Sequence, residues 1–402
     1  MAMGIGELAR SAPKAAVGVR PVTTWREDLV TMALGFWPIL AMMFDGRNHN
    51  NETGQESFFS LEHLFLYAGA SVLGVWIVQL VLRHQVAAGA DPIRGRIDLR
   101  AIPVGYGVAL IGLGILSVAG PADLIWHELY GFEVNVDAIY SAPHLALFFG
   151  AMLVASTGIR SMWAKRDIAP DLRTFAPVLL SSILFIGVAG FITMYLSAFM
   201  TNVSLTSDFM ADLERFNDVH ADQTVGLNPG LTGYGDDEWP YYYYSASHGI
   251  ASMMVTTLVL LGPILLLLRR WRVPVGSVTL IYLGFGLLVN IMTEYRDIVL
   301  IVPLILAGAT IDLLQQRLGR QRSDGRVSLG GIRIVGPAAA AVLWISYFVV
   351  VALDTGIGWE PTLWVGALIV GIMTGFGVAF LIAPPAYGPR LVEGEDTTVE
   401  PA

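Results

Sequence analysis

Apolar residues in this chain come in long blocks rather than in alternation with polar ones. Ten such blocks fall near 28–45, 61–83, 101–122, 141–163, 174–200, 245–268, 275–293, 298–316, 332–353 and 360–383. Each approaches the roughly 20 residues that a helix needs to cross bilayer hydrocarbon. The first is short and has room to extend at either end. The region 275–316 is too long for one crossing, and Glu294, Arg296 and Asp297 interrupt it, so it is read as two helices joined by a tight turn. The expected fold is therefore all-α, a polytopic transmembrane bundle of about ten spans.

The polar segments between the blocks give an orientation. The N-terminal stretch is basic. So are the loops carrying Arg83, Arg94, Arg96 and Arg100, then Arg160, Lys165, Arg166 and Arg173, then Arg269, Arg270 and Arg272, then Arg317, Arg320, Arg322 and Arg326. The intervening loops are poor in Lys and Arg and mostly acidic. Positive charge marks the cytoplasmic side, and the alternation holds at every crossing, which puts both termini in the cytoplasm. The chain divides into a cytoplasmic segment 1–27, a helical domain 28–383 and an acidic cytoplasmic tail 384–402. Residues 1–27 lack the continuous apolar core of a cleavable signal, so the first span is expected to serve as a retained anchor in a bacterial inner membrane.

Composition agrees: 54% of residues are hydrophobic and 14% charged, against about 25% charged in soluble chains. The net charge of -9 comes largely from loops and tail, and no basic patch is interleaved with aromatics, so nucleic acid is excluded as a partner. The expected partners are the lipid bilayer itself and small apolar or lipid-soluble molecules. Cysteine is absent, so a metal would have to be held by His, Asp, Glu or Met.

One extracytoplasmic loop, 201–244, is long for a compact bundle, which favours a functional or covering role. It ends in Trp239-Pro-Tyr-Tyr-Tyr-Tyr244, which reads first as an interfacial aromatic belt and second as a substrate lining.

The chemistry lies in a repeat. The first span ends in Asp45-Gly-Arg-Asn-His49, and the second opens with Ser60-Leu-Glu-His63. The third ends in Asp123-Leu-Ile-Trp-His127, and the fourth opens with Ser141-Ala-Pro-His144. The sixth opens with Ser245-Ala-Ser-His248, after a loop carrying Asp218 and His220. Ser-x-x-His thus recurs three times and Asp-x-x-x-His twice, as duplicated helical hairpins would give. Of the seven histidines only His84 falls on the cytoplasmic side.

Asp and His four apart on a helix share one face, and a His in the first turn of the next helix is held near by the hairpin. Together they offer an oxygen and nitrogens to one cation, and neutral imidazole suits copper, zinc, iron or nickel. A structural reading competes. Serine is a good N-cap, and Asp45 and Asp123 end apolar spans where water begins. N-capping explains the serines but not a His three residues later each time. The candidate ligands are Asp45, His49, His63, Asp123, His127, His144 and His248, with His220 last. Glu294 and Asp297 are separate candidates, as ionisable groups beside a span, although Arg296 between them offers a simple ion-pair partner.

The run Asp45-x3-His49-x13-His63 resembles the metal-binding pattern in the C subunit of copper membrane monooxygenases, the methane and ammonia monooxygenase family. Asp123-x3-His127-x16-His144 is a looser match. The resemblance implies copper held by Asp45, His49 and His63, and by Asp123, His127 and His144 as a second set. It covers only these stretches, and the chain is longer than that subunit. As a whole the pattern resembles a bacterial family of multi-pass membrane proteins.

Three functions compete. The first is a copper-dependent oxidoreductase of monooxygenase type, acting on a small apolar substrate. The second is a zinc-dependent membrane hydrolase, since the Ser-x-x-His units look like those of the alkaline ceramidase and adiponectin-receptor superfamily. That family has seven helices and a late two-His motif that this chain lacks. The third is a metal-handling transporter or permease, which internal repeats suit but the absence of charges at mid-span does not.

Overall fold

The computed structural model describes residues 20–51, 60–92, 95–131, 136–200 and 239–384, less the side chains of 49–51, 137–138 and 239–245. Its helices are α1 (Trp25–Asn51), α2 (Leu61–Ala87), α3 (Tyr106–Tyr130), α4 (Val136–Tyr140), α5 (Ala142–Ala155), α6 (Thr157–Trp163), α7 (Leu172–Ile192), α8 (Trp239–Arg270), α9 (Ser277–Met292), α10 (Ile301–Gly319), α11 (Leu329–Asp354) and α12 (Pro361–Ile382). Helices α5 and α6 are one crossing, Ala142–Trp163, interrupted at Ser156. Among the described residues nine crossings are long and apolar enough to span a membrane, and α9 is a shorter apolar helix. The chain is an all-α polytopic bundle and an integral multi-pass membrane protein.

Local chemistry sets the helix starts. Thr24 and Glu27 form a reciprocal capping box at α1, Thr24 N donating to Glu27 Oε2 at 2.8 Å and Glu27 N to Thr24 Oγ1 at 3.2 Å. Ser60 caps α2, Asp171 caps α7 and Ser328 caps α11, each accepting from the backbone N–H three residues on. The start of α9 is served from outside: the buried Asp312 of α10 accepts from Val278 N and from Thr279 N and Oγ1.

Helix α7 is the hub, with 67% of its most apolar stretch buried. It packs against α1, α5, α8 and α9, while α9 through α12 pack on one another in sequence on its far side. On the near side stand two hairpins, α1–α2 and α3–α5. Glycine makes the second one tight. A Cβ on Gly112 would stand 2.8 Å from Gly150 O, and one on Gly150 would stand 3.0 Å from Gly112 O, so the two backbones meet directly.

One difference from the sequence reading matters. Helices α1 and α3 run on beyond their expected ends, so Asp45 and Asp123 lie within helices, with His127 in the last turn of α3. The apolar count stops at the first carboxylate, but Asp123 is only 2% exposed and the helix is carried past it by packing. The expected turn at 294–297 is present, with Glu294 (φ 54) and Tyr295 (φ 61) both left-handed.

A candidate metal centre in the second hairpin

The last turns of α3 set out the first part of the site. Asp123 and His127, four apart, face the hairpin interior, and both are buried. The helix closes on Gly131 (φ 79), whose N–H donates to His127 O at 2.9 Å. The Gly131 carbonyl lies 3.3 Å from His127 Nδ1. A carbonyl only accepts, so Nδ1 is the donor of that contact and Nε2 is the nitrogen that faces Asp123.

Helix α5 supplies the third group. Pro143 stands in its first turn, where a missing N–H costs nothing. Ser141 Oγ is 2.8 Å from His144 Nδ1, which fixes the ring so that Nε2 again faces Asp123. The two histidines approach one carboxylate oxygen, each Nε2 lying 3.5 Å from Asp123 Oδ1. Among the described residues this is the group of ligand atoms that could hold an ion, all within 4.8 Å of one another.

The spacing bears on chemistry. Both Oδ1 separations exceed the about 2.7–3.2 Å of a good N–H···O bond. Metal–ligand bonds of about 2.1 Å put neighbouring donors of a tetrahedron about 3.4 Å apart. The donor set is two imidazoles and a carboxylate, each imidazole held through its far nitrogen by a carbonyl or hydroxyl, the usual outer support of a ligating histidine. These three side chains could together hold one metal ion.

The first hairpin carries a second, smaller arrangement. His63 Nε2 lies 3.4 Å from Asp45 Oδ1. One turn further along α2, Tyr67 stacks on His63 with ring centroids 6.0 Å apart. The Tyr67 phenol lies in the field of both Asp45 and Asp123, and its ring packs toward Gly120 of α3. It stands between the two hairpins' acids. Sequence reasoning passed over Tyr67 because one tyrosine in an apolar span carries no motif; its signal was the four-residue step from His63.

The remaining candidates are dispersed. His248 hydrogen-bonds the backbone of Tyr195, beside the 3-10 turn that follows α7. The His49 side chain, the whole of His220 and most of the 201–244 loop lie outside the described residues. Glu294 pairs with Arg47 at 2.9 Å and not with Arg296, whose Nε donates to Thr293 O. Asp297 precedes the 3-10 turn Ile298–Leu300. Ser60 and Ser141, equivalent in the repeat, differ in use: Ser60 Oγ accepts from His63 N as an N-cap, whereas Ser141 meets the imidazole of His144.

The opposite, arginine-rich end of the same helices holds an ionic cluster that no motif announced. Asp28, fully buried, accepts from Thr23 Oγ1 (2.7 Å) and Tyr106 OH (3.0 Å) through Oδ1. Its Oδ2 accepts from Ser161 Oγ (2.8 Å) and Lys165 Nζ (2.7 Å). His84, the histidine at this end, lies 3.7 Å from Glu27. Every lone pair of Asp28 is used inside the bundle, which makes this a structural lock on α1, α3 and α6.

Comparison with protein-family models, with characterised proteins and with solved structures finds no match to this chain.

Proposed function

We propose that Asp123, His127 and His144 hold one divalent transition ion, copper in the first instance. On this reading the protein is a membrane oxidoreductase, of monooxygenase type, acting on a small apolar substrate from the bilayer. The observation that carries it is the pair of imidazole nitrogens, each 3.5 Å from the same carboxylate oxygen and each fixed through its other nitrogen. Bound copper would supply redox chemistry there. The chain's own contribution is to bind and orient: Gly131 and Ser141 aim the two rings, and the apolar wall of α3 and α5 excludes water. Asp45, His63 and Tyr67 form a neighbouring acid–base set within the same pair of hairpins. The resemblance in the Asp-x3-His runs supports copper, and the arginine distribution supports an extracytoplasmic position for the site with both termini inside a bacterial inner membrane.

Zinc hydrolysis is the second reading. It is favoured by the ligand count, since catalytic zinc takes three protein ligands and leaves one position open. Elemental analysis of the purified protein separates the two. Copper near one equivalent, lost in the His127→Ala/His144→Ala double variant, is the expected result. Zinc in its place would favour the hydrolase, and unchanged metal in the double variant, or none in the wild type, would overturn the site.

A further inference from the structure

The face of α2 turned away from the bundle carries one stripe, Val72, Val75, Gln79 and Leu82, and all four side chains are exposed. Three are apolar, as a surface against hydrocarbon requires. Gln79 alone is polar. It stands eight residues before the end of α2, about 12 Å in from it. Its side chain makes no hydrogen bond among the described residues. A carboxamide at that depth costs free energy unless something beside the protein bonds to it.

Arg83, one turn further on, has the matching need. Its guanidinium lies 5.1 Å from the centre of the Trp76 ring. Trp76 Nε1 donates to Thr31 Oγ1 of α1 at 2.9 Å, so the ring is a fixed platform. To meet a ring seven residues back, the arginine lies along the helix rather than out toward water. Its Nε and Nη2 are shielded from solvent and have no acceptor among the described residues. The two acids in the first turn of α1 are committed elsewhere: Glu27 accepts from Thr24 and lies beside His84, and Asp28 pairs with Lys165. A half-buried guanidinium without a counter-charge calls for an anion from outside the chain.

A glycerophospholipid meets both needs at once. It carries a phosphate and, a few bonds toward its tails, ester carbonyls. With the phosphate against Arg83, those carbonyls fall toward Gln79, one turn deeper, where Nε2 can donate to them. The acyl chains then continue along Val75 and Val72. A free phosphate offers Gln79 nothing. The loop after α2 selects the headgroup. Gln85 bonds Asp98 N and O at 2.9 and 2.6 Å, which holds Arg100 beside the end of the helix, and Arg96 and Arg100 are both exposed. That positive surplus favours a net-anionic headgroup over a zwitterionic one. We propose that Trp76, Gln79 and Arg83 form a binding site for one anionic glycerophospholipid, of the phosphatidylglycerol class, on the outward face of α2. The site is independent of the metal reading.

The test is native mass spectrometry of the full-length protein in detergent, titrated separately with phosphatidylglycerol, phosphatidylcholine and glycerol phosphate. One saturable phosphatidylglycerol is expected, about fivefold tighter than phosphatidylcholine, with no binding of glycerol phosphate. Arg83→Gln should weaken it about fivefold to tenfold, and Gln79→Leu about fivefold. Gln79→Leu makes the stripe uniformly apolar and should leave folding intact, so it reads the site even where Arg83→Gln does not fold. Arg317→Gln, exposed at the same end of the bundle on α10, is the control for general charge and should change nothing. Equal affinity for the two lipids, no effect of Gln79→Leu, or equal losses in Arg317→Gln and Arg83→Gln would overturn the site and leave an ordinary basic belt. Saturable glycerol phosphate binding would make it a free-phosphate site and overturn it too. So would a dimer that Gln79→Leu dissolves, which would assign this face to a second copy of the chain.

Discussion

Replacing Gly112 by alanine should disrupt the proposed metal site from a distance. The added Cβ would lie 2.8 Å from Gly150 O and 3.0 Å from both Leu153 Cβ and Val154 Cγ2. Two of these atoms belong to backbone or to a Cβ, which cannot rotate away, so α3 and α5 must part by about 0.6 Å or more to reach ordinary contact. Overpacking of this kind costs about 1–3 kcal/mol. The larger consequence is geometric. Asp123 and His127 ride on α3 and His144 on α5, and a metal site tolerates displacements of only about 0.2 Å. A drop of about tenfold to a hundredfold in metal affinity is expected, the range seen when ligand support is lost. The assay is competitive metal titration against a chromogenic chelator, with helical content followed by circular dichroism. Gly114→Ala is the control, two residues along the same helix with no neighbour within 4 Å. Unchanged affinity in Gly112→Ala, or equal loss in Gly114→Ala, would refute the view that the glycine crossing sets the ligand spacing.

Other variants probe the same argument elsewhere. Ser141→Ala should weaken metal binding about tenfold or more through loss of His144 orientation, whereas Ser60→Ala should cost about 1 kcal/mol of stability as a lost cap and leave metal affinity alone. Asp28→Ala strands Lys165 in the interior and should cost about 3–5 kcal/mol in unfolding by denaturant, with Asp28→Leu/Lys165→Met recovering most of it; a loss under 1 kcal/mol would contradict the lock. Asp324 is half-buried, and its hydrogen bonds from Arg322 and Arg326 hold its carboxyl well below the ordinary value of 3.8. Its stabilising contribution is therefore complete above pH 3.8 and lost only as pH falls through the lower folded value. The Tm difference between wild type and Asp324→Asn should be constant from pH 7 to pH 4 and should shrink with added salt.

The bundle was legible in the chain because the bilayer imposes one rule on every span: apolar length with few charges. Helix ends were less so. Asp45 and Asp123 look like boundaries in sequence, and only tertiary packing shows that α1 and α3 continue past them, with Asp123 buried and Asp45 half-buried. The Asp-x-x-x-His and Ser-x-x-His spacings pointed to His127 and His144 because the partners are a helical turn apart or joined by one hairpin. The same spacings did not separate Ser60 from Ser141, since a hydroxyl three residues before a histidine can reach either its backbone or its ring. The Asp28 cluster was invisible for a related reason. Its partners come from three places, Thr23 beside Asp28 itself, Tyr106, and the Ser161–Lys165 turn, and residues that meet only in three dimensions leave no local pattern.

Each acid–histidine set is built within one hairpin, Asp45 with His63 across α1–α2, and Asp123 with His127 and His144 across α3–α5. The groups that aim those rings, Gly131 and Ser141, belong to the same short stretch. Among the described residues the second set is complete by residue 144. During synthesis the centre can therefore close as soon as its hairpin has entered the membrane, before the hub α7 and the far half of the bundle have been made. Later helices would then enclose a ligand set already assembled, and a cation held by it would act as a clasp on the growing chain.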